Sequence, residues 1–242
     1  SDQLIPTLTI NPDFIEWFHR FVAMITGFFI LGTAGWAWQR GEQRATRTAV
    51  GAVVLLPLQI SIGAITVTIN GLVPWGYAVP THAAHLVTAL TIFTLLSLTT
   101  IYAYGGHHSR PPRTRSRRAL GVGLIALLGS GLFSRGVPLL QYSPGAQAWY
   151  YAISLVAVVA LLATIHWLTG VDRLGRQLAG LALGIVIGTM LIGRDLVVYT
   201  PTVQLLNFGL YVAAVVLVAA GLWRLFGGAP SPSTPFGTEH SE

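Results

Sequence analysis

A bundle of α-helices crossing a membrane several times is the fold class that this 242-residue sequence predicts. Three observations predict it. Hydrophobic residues make up 53% of the chain and charged residues 9%, against roughly 25% charged in soluble domains. The mean hydropathy is +0.65. Seven apolar stretches also reach the length of about 20 residues that a helix needs to cross a hydrocarbon core.

The spans are expected near residues 14–38, 49–70, 80–104, 119–139, 147–168, 177–198 and 202–226. Each is bounded by Arg, Pro or Gly clusters, because only the connections between spans meet water. The first follows Phe14-Ile15-Glu16-Trp17-Phe18-His19-Arg20 and then carries no charge until beyond Trp38. The fourth has the weakest pattern, being Gly-rich, with Arg135 near its end and Pro138 beyond. The tail after Gly227 is rich in Pro, Ser, Gly and Thr, a composition that cannot bury a core.

Several function classes are excluded. Cysteine is absent, which rules out a disulfide framework, a thiolate nucleophile and Cys-ligated zinc. All 14 basic residues are Arg, and without Lys a seven-span retinal protein has no Schiff-base residue. Fourteen Arg and no Lys also point to a GC-rich prokaryotic genome. The pI near 10.2 does not argue for nucleic acid, because the arginines lie in short loops between spans. Eleven of them fall on one side: Arg40, Arg44, Arg47, Arg110, Arg113, Arg115, Arg117, Arg118, Arg173, Arg176 and Arg224. Only Arg20, Arg135 and Arg194 fall on the other, so the positive-inside rule sets the N-terminus outside and the C-terminus in the cytoplasm of a prokaryotic membrane.

Ionisable groups at the mouth of an apolar span are costly and point to function. Glu16 and His19 share one helix face, a turn apart. His82 and His85 share a face in the first turns of the third span, which also begins outside. Two imidazoles from two helices at similar depth can ligate haem iron from both sides. A metal site with Glu16 and His82 as further ligands satisfies the same chemistry. The plain alternative for Glu16, His19 and Arg20 is a solvated helix start with interfacial aromatics.

These residues resemble the haem A synthase family, which oxidises a methyl group of haem O on the way to haem A. The family's Glu-x-x-His-Arg signature corresponds to Glu16, His19 and Arg20. A Gln followed by Gly-x-x-Thr corresponds to Gln59, Gly63 and Thr66, and a His followed by Leu and Ala to His85, Leu86 and Ala89. The resemblance covers about residues 10 to 100. It implies axial haem ligation by His19 and His85, with Glu16 beside the substrate haem and active in its oxidation. Arg20 then pairs with a haem propionate, a role suited to its forked donors. Gln59 hydrogen-bonds within the site or glues helices together. His82 contacts a propionate or serves as the alternative ligand.

The family is built as two four-helix halves. Overlaying span five on span one sets Ala148 and Tyr151 over Glu16 and His19, and Asn207 of span seven falls over His85. On that register a second haem site is lost, and one further helix is expected upstream of Ser1. The expected organisation is a haem-binding half over 1–104, a basic cytoplasmic linker over 105–118, a second half-bundle over 119–226 and a disordered tail over 227–242. The implied cofactors are haem and its iron, and the implied partners are haem O synthase, terminal oxidase subunits and membrane lipid. The alternative function is a non-catalytic haem-binding or haem-transfer protein in oxidase assembly; a transporter lacks the broken spans and midplane charges it would need.

Four weaker candidates have plain readings. His107 and His108 belong to a solvated Arg-rich loop, and His166 beside Trp167 to an interfacial aromatic belt. Arg194 and Asp195 read as a local ion pair or a loop anchor. The loop from Asn70 to Thr81 lies over a haem edge or anchors the interface.

Overall fold

The computed structural model describes residues 12–72, 79–105, 110–135, 143–193 and 200–227. Seven α-helices account for nearly all of them: α1 (Pro12–Arg40), α2 (Gln43–Leu72), α3 (Val79–Tyr104), α4 (Pro112–Gly131), α5 (Pro144–Trp167), α6 (Arg173–Ile192) and α7 (Pro201–Phe226). No strand occurs among the described residues.

Helix starts follow local rules. Ser143, Asp172 and Thr200 cap α5, α6 and α7, each accepting a hydrogen bond from a first-turn backbone N–H. Proline opens α4, α5 and α7, where its missing N–H costs nothing. Gly41 ends α1 at φ 70°, a left-handed conformation that a side chain would oppose.

Six helices are long and apolar enough to cross a membrane; α4 is the exception. It begins at Pro112, seven residues before the expected 119, and ends at Gly131 rather than 139. Arg113, Arg115, Arg117 and Arg118 are therefore helical, and their charge keeps its first turns out of an apolar span.

The helices pack as two groups. α4, α5, α6 and α7 close a ring, each touching two neighbours, with Leu120, Leu161, Val186, Met190 and Val218 in its centre. α1 and α3 both lie on α2 and barely touch each other, and α3 meets α5 to join the groups. In lipid, helix association rests on close packing rather than on the hydrophobic effect. Accordingly Ala37, Ala45, Ala49 and Ala103 form the seam of α1, α2 and α3 near the first turn. Gly123 likewise lets α4 approach Ala160 of α5.

Polar side chains bridge helices without exposing their donors. Thr48 of α2 and Thr99 of α3 meet 2.8 Å apart. Tyr211 of α7 donates to the Leu127 carbonyl of α4 at 3.1 Å, and Gly131 makes room for its hydroxyl.

Candidate functional site

The site is built from α1, α2 and α3. On α2, Gln59 and Gly63 are four residues apart and so lie on one face, toward α3. The Gln59 side-chain nitrogen lies 3.1 Å from Nε2 of His85. The pair shares one hydrogen bond whose direction is set by the imidazole tautomer: the amide N–H donates to an unprotonated Nε2, or the amide oxygen, turned about, accepts from Nε2–H. The same ring lies over Gly63, where a Cβ would stand 3.1 Å from Cε1 of His85. The Gln-x-x-x-Gly spacing is thus a seat for the histidine of the next helix: one residue holds the ring and the other makes space for it. With its nitrogen toward the ring, the buried carbonyl oxygen of Gln59 has no hydrogen-bond partner among the described residues. An unmet acceptor beside an imidazole suits a polar ligand group arriving there.

On α1, Glu16 and Arg20 form an ion pair one turn apart, and both side chains are about half exposed or more. Pairs of this kind contribute little to stability, so the guanidinium can exchange its partner at small cost. His19 lies between them on the exposed surface of α1, flanked by the stacked rings of Phe14, Trp17, Phe18 and Phe21. His82 is half-buried on α3, one turn before His85. His19 and His85 thus stand on helices that both pack on α2 and contact each other little. Among the described residues no group of three or more His, Asp or Glu comes together, so the all-protein metal site built from Glu16 and His82 finds no support.

Sequence reasoning named Gln59 but missed the role of Gly63, although the i, i+4 spacing of the two was the available signal. His166, half-buried on α5, lies edge-on to Tyr102 with ring centroids 5.2 Å apart. The other half of the chain differs chemically. Tyr151, which the sequence register sets over His19, donates its hydroxyl to the Met190 carbonyl at 2.7 Å, and Asn207 is buried. His107, His108, Arg194, Asp195, Pro138, most of the loop after Asn70 and the tail beyond Gly227 lie outside the described residues.

Fold and site together define a class: a multi-pass helical membrane protein with a histidine seated at the interface of its second and third helices. Comparison with known proteins makes this specific. The chain belongs to the cytochrome oxidase assembly protein family (COX15-CtaA), whose model matches residues 9–134 and so spans α1 to α4. Over 106 residues it is 34% identical to the heme A synthase of Bacillus licheniformis, which covers 43% of this chain and 33% of that protein. Over 83 residues it is 39% identical to the protoheme IX farnesyltransferase of Halobacterium salinarum, covering 34% of this chain and 17% of that protein. The chain therefore spans a third or less of the length of these curated relatives. No solved structure matches it.

Proposed function

We propose that this protein binds haem between α1 and α3 and oxidises the methyl group of haem O toward haem A during oxidase assembly. The observation that carries the reading is the seat of His85 on Gln59 and Gly63, inside the segment shared with the family. The similarity to a heme A synthase supports the reaction class.

The donor set fits a haem. His19 and His85 would each supply an imidazole for the iron, His85 through the ring nitrogen that Gln59 does not bond, and Arg20, released from Glu16, would supply a forked donor for a propionate. Bound haem supplies the oxidative chemistry itself. The chain's own groups do the rest. Gln59 orients the His85 ring, His82 contacts a propionate or stands in as ligand, and the freed Glu16 carboxylate holds or moves a proton beside the reacting methyl. On this reading residues 1–104 are the haem-binding half, 105–118 a linker, 119–226 the supporting half-bundle and 227–242 a tail. The arginine asymmetry supports a prokaryotic membrane with the N-terminus outside. Similarity to a farnesyltransferase of protoheme supports haem O synthase as a partner, and the family supports terminal oxidase subunits.

A second reading, a non-catalytic haem carrier in the same assembly, is favoured by one observation. Tyr151, which the sequence register sets over His19, gives its hydroxyl to the Met190 backbone carbonyl and is no iron ligand of the histidine type.

The absorption spectrum of the purified protein, with haem extraction, tests both. A bis-histidine spectrum lost on His19→Ala or His85→Ala is expected. Glu16→Ala is expected to keep that spectrum and abolish product; absence of product from the unaltered, haem-loaded protein would leave the carrier reading. Protein that takes up no haem, or keeps its spectrum in both histidine variants, overturns the site.

A further inference from the structure

At the arginine-rich end of the bundle, far along the chain from the histidines, the start of α4 and the facing ends of α6 and α7 enclose a groove of about 480 Å³. Its polar wall holds Arg113, Asp172 and Arg224, and its apolar wall holds Leu174, Leu178 and Trp223. Asp172 is buried and already satisfied: it caps α6 through the Gly175 N–H and accepts from Nε of Arg224 at 3.0 and 3.2 Å. That leaves the outer guanidinium nitrogens of Arg224, and the whole guanidinium of Arg113, without a hydrogen bond to another described residue. Two cations against one carboxylate leave one positive charge uncompensated in the groove.

The apolar wall is as informative as the charge. Leu174 is 47% exposed and Trp223 is 81% exposed, so a large indole stands open beside the cations at the end of a membrane-spanning helix. A soluble oxyanion would have no use for that wall. A ligand with an anionic head on an apolar body uses both, and forked guanidinium donors match a phosphodiester. We propose that this groove binds the headgroup of an anionic phospholipid, its phosphate on Arg113 and Arg224 and its upper acyl region on Leu174, Leu178 and Trp223. The site is independent of haem binding.

The test is native mass spectrometry of the full chain in neutral detergent, titrated with short-chain phosphatidylglycerol or phosphatidylcholine. Phosphatidylglycerol is expected to be retained about tenfold more strongly, the size of one charge-assisted contact. Arg113→Gln is expected to erase that preference, while Arg47→Gln, on an exposed position remote from the groove, keeps it. Trp223→Ala is expected to weaken retention of both lipids. Equal retention of the two lipids by the unaltered chain, or a preference that survives Arg113→Gln, overturns the proposal. Displacement of phosphatidylglycerol by the same concentration of inorganic phosphate also overturns it, showing a free-anion site instead.

Discussion

Gln59 and His85 meet 3.1 Å apart across the contact of α2 and α3, and Gly63, one turn along α2, leaves the space in which the imidazole lies. Two helices are thereby locked in rotation about one imidazole ring. A simple substitution tests how tightly the ring is held. Gly63→Ala sets a methyl 3.1 Å from Cε1 of His85, and the ring must shift by a few tenths of an ångström. The expected cost is about 1–3 kcal/mol in thermal or denaturant unfolding, with weaker haem uptake. Gly188→Ala, with nothing within 4 Å of the new methyl, is expected to be neutral or to stabilise by about 0.5–1 kcal/mol through helix propensity.

The α4–α7 contact offers a second measurement. A Cβ at Gly131 would come within 2.7 Å of the Tyr211 ring carbon that bears the hydroxyl. Gly131→Ala is therefore expected to expel Tyr211 and destabilise the closed ring by more than about 2 kcal/mol. Tyr211→Phe, which loses only the bond to Leu127, is expected to cost about 1 kcal/mol. Equal losses in the two variants would show that the close approach of the helices is unimportant.

Asp172 carries a pH dependence. Its burial alone would raise the carboxyl's pKa, but the Gly175 N–H and the Arg224 guanidinium, with Arg113 nearby, hold it below the ordinary carboxylate value. A folded-state pKa lower than the unfolded one gives stability that is present above the unfolded value. It is lost as pH falls through the folded one. The melting temperature is expected to fall in that acid range. Asp172→Asn, which keeps a capping side chain but not the charge, is expected to flatten that fall.

Thr48 and Thr99 test polar bonding between spans. Their hydroxyls meet at 2.8 Å, and each also donates to, or lies near, carbonyls of its own helix. A double-mutant cycle with Val at both positions is expected to give a coupling of about 0.5–1 kcal/mol, because the separated helices find substitute partners. A coupling near zero would mean that the pair is only tolerated.

The motif residues were legible individually: Glu16, His19, Gln59 and His85 stand out because ionisable and amide groups are rare in apolar spans. Their pairing was less so. Glu16 and His19 share a helix face as expected, yet Glu16 bonds to Arg20, four residues on and in the orientation that favours an acid before a base. The fourth helix was misplaced at both ends because hydropathy discounts an Arg-rich first turn that helix formation accepts.

Sequence alone determined that this chain is a set of membrane helices, roughly where all but the fourth lie, and which polar groups are unusual within them. Those are local properties, since each span satisfies its own backbone hydrogen bonds wherever its neighbours lie. Only the tertiary structure decided that His85 rests on Gln59 and Gly63, that Tyr211 fills the notch at Gly131, and that Asp172 meets Arg224. Spans apolar on nearly every side carry no periodic mark of which face turns inward. Close packing of small residues and a few interhelical hydrogen bonds set those rotations.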